Sequence, residues 1–139
     1  VYVLREIYTR YRDTHEIIAM ADATRLPRNV IMWCDSAEPD RIKTWRDKGY
    51  LAEGVKKEKG SIGAQIDYLK SHKIVIHPLC ENLIREIGEW KWERDTISGE
   101  YTDIPVSIND DAIASLRYSI EGIRKNKRLK TISKKILKI

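Results

Sequence analysis

The segment NVIMWCDSAEP, residues 29–39, decides the fold that this sequence predicts. After Asn29, the residues VIMWC form a continuous apolar run of strand length, which is typical of a strand buried inside a sheet. The polar residues that follow place Asp35 at the carboxyl end of that strand, and Pro39 opens a helix in EPDRIKTWRDKG. The segment therefore predicts a central strand joined to a helix, as in layered α/β proteins.

The alternation of strand and helix continues in both directions from this segment. Upstream, VYVLREIYTRY predicts a strand from residue 1, and DTHEIIAMADATRL predicts a helix capped by Asp13 or Thr14. Downstream, we expect strands in YLAEGVKK and KIVIHP and helices in EKGSIGAQIDYLKSH and LCENLIREIGEW. KWERDTISGEYTDIPVSI predicts a β-hairpin, and apolar residues three and four apart predict a last helix over residues 110–123. The sequence thus predicts one α/β domain over residues 1–123.

Charge is distributed unevenly along the 139 residues. The formal net charge is +5, yet the last 18 residues carry eight basic side chains and no acid, so the preceding part is slightly acidic. Residues 124–139 are therefore expected to form a basic C-terminal tail. Either this tail is a solvated terminus or it contacts phosphate, and the sequence leaves both possibilities open.

Composition also excludes several classes of protein. No apolar run approaches the ~20 residues that cross a bilayer, so we expect no membrane segment. Cys34 and Cys80 lie in separate apolar segments, which predicts free thiols in a reducing cytoplasm. The sequence shows no Ser/His/Asp arrangement of a nucleophilic hydrolase. It also lacks the phosphate-loop motif GxxxxGK[ST], so we expect no nucleotide hydrolysis.

Acidic residues at two places could hold a metal ion. Asp35 follows a predicted buried strand, and ligands of open α/β sheets bind at the carboxyl ends of strands; alternatively, it accepts backbone N–H bonds within a strand-to-helix loop. Asp110 and Asp111 begin the last helix, where a carboxylate can cap free amides. Capping explains one of them, and we assign Asp110 as the helix cap. The other could join Asp35 in binding a hard divalent cation.

A lysine-rich loop precedes the helix start at Gly60 and Ser61, where Ser61 is the expected cap. Lys56, Lys57 and Lys59 could contact DNA phosphates beside the acidic residues, although such runs are often only solvated loops. In the predicted hairpin, two tryptophans either stack on bases or anchor the hairpin to the core: Trp90 and Trp92.

Four segments resemble a known family: MWCDSAEPDRI, KGYLAEGVKKEKGSI, IVIHPLCENLIREIGEWKW and NDDAIASLRYSIE. Their order and spacing are similar to those of the C-terminal nuclease domain of the large terminase subunits of tailed bacteriophages, over roughly residues 1–120. The resemblance implies an RNase H-like mixed sheet flanked by helices, with a β-hairpin insertion. It also implies an endonuclease that uses two Mg²⁺ or Mn²⁺ ions to cut concatemeric double-stranded DNA during genome packaging.

The resemblance assigns roles to individual residues. Asp35 matches the family's metal-binding aspartate on the second strand of its site. In the family's last helix the pattern is Asp-His-Ala-x-Asp-Ala-x-Arg-Tyr, so Asp110 matches its first acid, Asp111 its histidine and Ala114 its metal-binding aspartate. We therefore assign Asp35 and Asp111 as catalytic metal ligands and Ala114 as a lost ligand position. The family's first metal-binding aspartate lies on a strand before VYVLREIY, so that strand is expected to be missing from a domain truncated at its N-terminus.

These departures predict an impaired nuclease, because metal ions both activate water and neutralise charge. Ala114 is either an engineered or a natural change. Expected partners are double-stranded DNA and, by the resemblance, the portal protein and the small terminase subunit, in the cytoplasm of a bacterial host and without a membrane. Two alternatives are a non-catalytic module that binds DNA or a portal, and another RNase H-like nuclease such as a resolvase.

Overall fold

A computed structural model describes residues 1–125, apart from the side chain of residue 103. Its helices and strands alternate in the predicted order, and the mixed α/β class is confirmed. The helices are α1 (Thr14–Ala23), α2 (Pro39–Asp47), α3 (Ser61–Lys70), α4 (Glu81–Glu89) and α5 (Asp111–Ser119). The strands are β1 (Tyr2–Val3), β2 (Ile31–Cys34), β3 (Leu51–Gly54), β4 (Val75–Ile76), β5 (Trp92–Arg94) and β6 (Tyr101–Pro105).

The described strands pair as three two-stranded sheets. β2 runs parallel to β3, β1 runs parallel to β4, and β5 and β6 form the expected antiparallel hairpin. The expectation that β2 is a fully buried central strand is wrong, because β2 pairs on one edge only and Ile31 is 51% exposed. The parallel register Cys34↔Gly54 brings the carboxyl ends of β2 and β3 together. That end of the sheet holds the candidate site described below.

The starts of α1 and α3 are both determined by residues next to them in the sequence. At α1, Asp13 accepts the Glu16 N–H and Glu16 accepts the Asp13 N–H, so the predicted cap is confirmed as a capping box. At α3, Ser61 is the first helical residue rather than the cap. The cap position is held by Gly60, whose φ of 78° lies in the left-handed region that glycine adopts without steric cost.

The start of α4 is capped from a distant part of the chain. Both carboxylate oxygens of Glu6 accept backbone N–H groups, from Asn82 at 2.9 Å and from Leu83 at 3.1 Å. Burial is the largest effect on Glu6 and raises its pKa, but these hydrogen bonds together outweigh it and lower the pKa. Glu6 therefore ties the N-terminal segment to α4.

Helix α5 packs its apolar side into the larger core. That core contains the buried residues Leu69, Cys80, Leu83, Ile113, Leu116 and Ile120. Cys34 and Cys80 are both free cysteines, as expected. Packing of one face of α5 leaves its opposite face, which carries Asp111 and Ala114, directed toward a cavity at the sheet end.

The predicted tail from residue 124 lies outside the described residues except at its start. Arg124 and Lys125 both pair with the buried carboxylate of Glu121, at 3.0 and 3.3 Å. Burial is the largest effect on Glu121 and raises its pKa, but its hydrogen bonds, chiefly that from Arg124, give a net lowering. Among residues 1–125, no helix combines the length and apolarity needed to cross a membrane.

Candidate functional site

The candidate site lies where β2 and β3 end. The backbone N–H of Val55 donates to the Cys34 carbonyl at 2.9 Å, which extends the pairing one residue beyond the strands. Asp35 follows Cys34 directly, and Lys57 lies two residues beyond the buried Val55. The backbone register therefore places the two charged side chains at the same edge of the sheet.

Asp35 and Lys57 form an ion pair. The Lys57 Nζ lies 2.6 Å from Asp35 Oδ1, and each side chain is about half exposed, at 49% and 48%. The ammonium of Lys57 is the main cause of the lowered pKa of Asp35, and Asp35 in turn raises the pKa of Lys57. At neutral pH both groups are therefore charged.

Other donors also contact Asp35. The Ala37 N–H donates to Oδ1 at 2.8 Å, and the Tyr118 hydroxyl makes a longer hydrogen bond of 3.4 Å to Oδ2. The loop alternative for Asp35, in which it accepts backbone N–H bonds, is thus confirmed. Tyr118 had no assigned role in the sequence, although it ends the NDDAIASLRY pattern that carried the resemblance. Residues 111, 114 and 118 are three and four apart and so share one face of a helix, and this spacing could have indicated that Tyr118 lies near the site.

A cavity of about 510 Å³ adjoins this ion pair and is lined by the acidic residues, the loop lysines and the Ala114 position that the sequence predicted for the site. It lies between the lysine-rich loop, the start of α3 and the outward face of α5. Four acidic and four basic side chains line it, so the formal charges balance. They are Asp35, Glu58, Asp110 and Asp111, and Lys56, Lys57, Lys59 and Arg117; Ala114 lines it too.

The expected side-chain cap by Asp110 is wrong. Asp110 occupies the N-cap position of α5, but its side chain makes no capping hydrogen bond. Instead, Oε2 of Glu86 from α4 accepts the N–H groups of Ala112 and Ile113, at 2.8 and 3.0 Å. Glu86 is 1% exposed, so a buried carboxylate from a neighbouring helix complements the positive end of α5. The Asp110 carboxylate is left to line the cavity.

A buried polar network supports the cavity wall. Arg117 donates to the Gln65 side-chain oxygen at 2.9 Å, and the Gln65 amide donates to Glu121 at 3.4 Å. Arg117 is 6% exposed, and its Nε has no hydrogen-bond partner among the described residues. The network joins α3 to α5 across more than 50 residues of sequence, which is why no local pattern indicated it.

The two hairpin tryptophans differ in their contacts. Trp90 packs against the larger core and donates its indole N–H to the Val106 carbonyl at 3.2 Å. Trp92 stacks near Trp90, with ring centroids 6.5 Å apart, and the Lys70 ammonium lies 5.2 Å from its ring centre. Trp90 therefore has the anchoring role that was one of the two alternatives.

The residues present do not fit a two-ion centre. Divalent Mg²⁺ or Mn²⁺ needs several deprotonated oxygen ligands at about 2.0–2.2 Å, free of competing donors. Asp35 already accepts bonds from Lys57, Ala37 and Tyr118, and Ala114 has no ligating atom. Among the side chains that the structure describes, no group of three or more His, Cys, Asp or Glu could hold a metal ion. Four carboxylates line the cavity, Asp35 and Asp111 among them, but no three of the described ones come together as such a centre requires.

Comparison with known proteins agrees with the fold. The chain is similar to the nuclease domain of the large terminase of bacteriophage SPP1, which was crystallised with bound Mn, with a TM-score of 0.77 and 22% sequence identity. The match covers 86% of this chain and 69% of that one. No curated protein matches the chain significantly.

The family comparison covers most of the sequence. The model of the terminase RNase H-like domain matches residues 3–122, which include α1 to α5, the β2–β3 pair and the hairpin. Those residues also contain every side chain of the cavity. The chain therefore belongs to the terminase RNase H-like domain family.

Proposed function

We propose that this chain is the DNA-engaging nuclease module of a phage-type terminase large subunit and that its cleavage activity is impaired. The observation that carries the proposal is the cavity in which Asp35 and Asp111 lie beside three loop lysines and which Ala114 also lines. Carboxylates next to lysine side chains suit a site that binds a phosphodiester group. The family membership supports DNA as the substrate class.

Lys56, Lys57 and Lys59 supply the contacts to DNA in this proposal. All three are exposed and line the cavity, where the N-terminus of α3 adds positive potential. Neutralising three phosphates gives a log–log salt slope of about −3 for duplex binding. Such contacts position the duplex without reading its sequence.

Impairment follows from the acids that the cavity lacks. Family chemistry uses a divalent cation such as Mg²⁺ or Mn²⁺, and the similar SPP1 domain holds Mn. In this chain, Asp35 and Asp111 are the carboxylates assigned to that role. Ala114 offers only a methyl group at the adjoining position on α5. A site that cannot hold its ions loses both activation of water and stabilisation of the leaving oxygen.

The setting of this function is part of the same proposal. The duplex is concatemeric double-stranded DNA being packaged, in the cytoplasm of a bacterial host, and the portal protein and the small terminase subunit are the protein partners. A second candidate function is a non-catalytic module that binds DNA or a portal. It is favoured by the Lys57 ammonium on Asp35, which balances the carboxylate without a metal.

Supercoiled plasmid incubated with Mn²⁺ tests the proposed function. We expect the unmodified chain to bind the plasmid without detectable cutting. Ala114→Asp restores one acid of the family pattern and is expected to raise the nicking rate above that of the unmodified chain. Ala114→Asn is the matched control, because it has nearly the same shape without the charge. If the unmodified chain and Ala114→Asn cut as fast as Ala114→Asp, impairment at this position is refuted. If no form binds or cuts the plasmid, the nuclease-module proposal is refuted.

A further inference from the structure

The ammonium group of Lys57 already forms an ion pair with Asp35. The Lys57 Nζ is 2.6 Å from Oδ1, closer than any other donor to that carboxylate. The position is fixed by the backbone, because Val55 is buried and its N–H is bonded to the β2 carbonyl at Cys34. Lys57 then has only two residues in which to diverge from the strand end.

The charges around the pair are balanced without a metal. Four carboxylates line the cavity, and four cationic side chains of the same chain face them. A site built to hold divalent ions needs an excess of negative charge, and Ala114 removes one negative charge from this position in the family pattern. The buried Arg117 adds a fixed positive charge to the same wall.

We propose that the Lys57 ammonium takes the place of a divalent cation on Asp35, so that this pocket engages a DNA phosphodiester without metal. The assignment of DNA as ligand rests on the proposed function. An ammonium has three N–H donors, and Asp35 uses one of them. About half of the Lys57 side chain is exposed, so a phosphate oxygen can reach the remaining donors.

The proposal makes Mn²⁺ a competitor of Lys57. A metal ion that binds Asp35 must displace the Lys57 ammonium. Breaking this exposed ion pair lowers the affinity of Asp35 for the metal ion by up to about fivefold. Removing the ammonium therefore strengthens Mn²⁺ binding. Removing the ammonium also removes a donor to the DNA phosphate. A Mn²⁺ ion bound to Asp35 can then contact the phosphate instead and restore duplex binding.

The test compares Lys57→Ala with Lys59→Ala. Each removes one charge from the same exposed loop, but only the first breaks the pair with Asp35. Mn²⁺ binding is followed by the electron paramagnetic resonance signal of the free ion, and duplex binding by fluorescence anisotropy in EDTA and in Mn²⁺. We expect the unmodified chain to bind duplex equally in both conditions. Lys57→Ala is expected to bind Mn²⁺ about fivefold more tightly and to regain its lost duplex affinity in Mn²⁺. Lys59→Ala is expected to bind Mn²⁺ as the unmodified chain does, and any duplex affinity that it loses is not expected to return in Mn²⁺.

Two results overturn the proposal while leaving the proposed function standing: equal Mn²⁺ affinity in Lys57→Ala and the unmodified chain, or duplex binding by the unmodified chain that requires Mn²⁺. Absence of duplex binding in every condition overturns both proposals. Circular dichroism of both variants checks that the exposed substitutions leave the fold intact.

Discussion

Replacing Glu86 by alanine is the sharpest test of how α5 is held. Glu86 Oε2 accepts the N–H groups of Ala112 and Ile113, and the side chain is 1% exposed. Without it, two amides at the start of α5 lose their acceptor in a place that water reaches poorly. Each unsatisfied amide costs about 1–3 kcal/mol, so we expect the free energy of unfolding to fall by about 3 kcal/mol. That is a large part of the ~5–15 kcal/mol that stabilises a typical domain.

Glu86→Gln is the matched control. Both hydrogen bonds go to one oxygen, and Oε1 has no hydrogen-bond partner among the described residues. A glutamine oxygen can therefore accept both N–H groups, and mainly the charge at the helix start is lost. The glutamine amide takes the place of the unpartnered Oε1, so we expect a decrease of about 1–2 kcal/mol, smaller than that of Glu86→Ala.

Urea unfolding followed by tryptophan fluorescence measures both variants, because the midpoint and slope together give the free energy. If Glu86→Ala unfolds at the same urea concentration as the unmodified chain, the distant cap is not stabilising α5. If Glu86→Gln loses as much stability as Glu86→Ala, charge rather than hydrogen bonding dominates and the assignment above is wrong.

Two further predictions concern helix starts. Asp13→Ala removes one side of the capping box at α1 and is expected to lower the free energy of unfolding by about 1 kcal/mol; urea denaturation in which it equals the unmodified chain would contradict this. The pKa of Glu6 is lowered from its ordinary 4.5, so its contribution to stability is present above that pH and is lost as the pH falls through the lower folded value. Glu6→Gln should therefore weaken the loss of stability below about pH 4.5 in urea titrations at several pH values, and an unchanged acid dependence would refute the role of Glu6.

Local signals in the sequence predicted the element order well. The capping box of α1 depends on residues three apart, and Asp13 and Glu16 are visible as a pair in the sequence. The predicted last helix over residues 110–123 agrees with α5 through Ser119, and residues 121–125 are again helical after Ile120. Short-range hydrogen bonds and apolar periodicity decide such features, so a single sequence contains them.

Contacts between distant residues were harder to predict. Nothing near Asp110 indicates that Glu86, more than 20 residues earlier, caps α5. The choice between Gly60 and Ser61 as the α3 cap depended on a positive φ that glycine permits but does not require.

The candidate site was predicted as a set of residues but not as a set of contacts. The rule that ligands meet the carboxyl ends of strands placed Asp35 correctly in the cavity beside the lysines. The ion pair with Lys57 depends on the register of β2 and β3, which the sequence does not specify. The buried contact of Arg117 with Gln65 likewise follows from packing of α3 on α5.

Ala114 offers no ligand at a position where the family pattern has a metal-binding aspartate, and we infer that this change weakens the ion site. Titrating Mn²⁺ into the unmodified chain and into Ala114→Asp tests it most directly, since it measures the ion site without depending on DNA. We expect the unmodified chain to bind Mn²⁺ weakly and Ala114→Asp to bind it at least about tenfold more tightly. Equal affinity in the two proteins would contradict the claim.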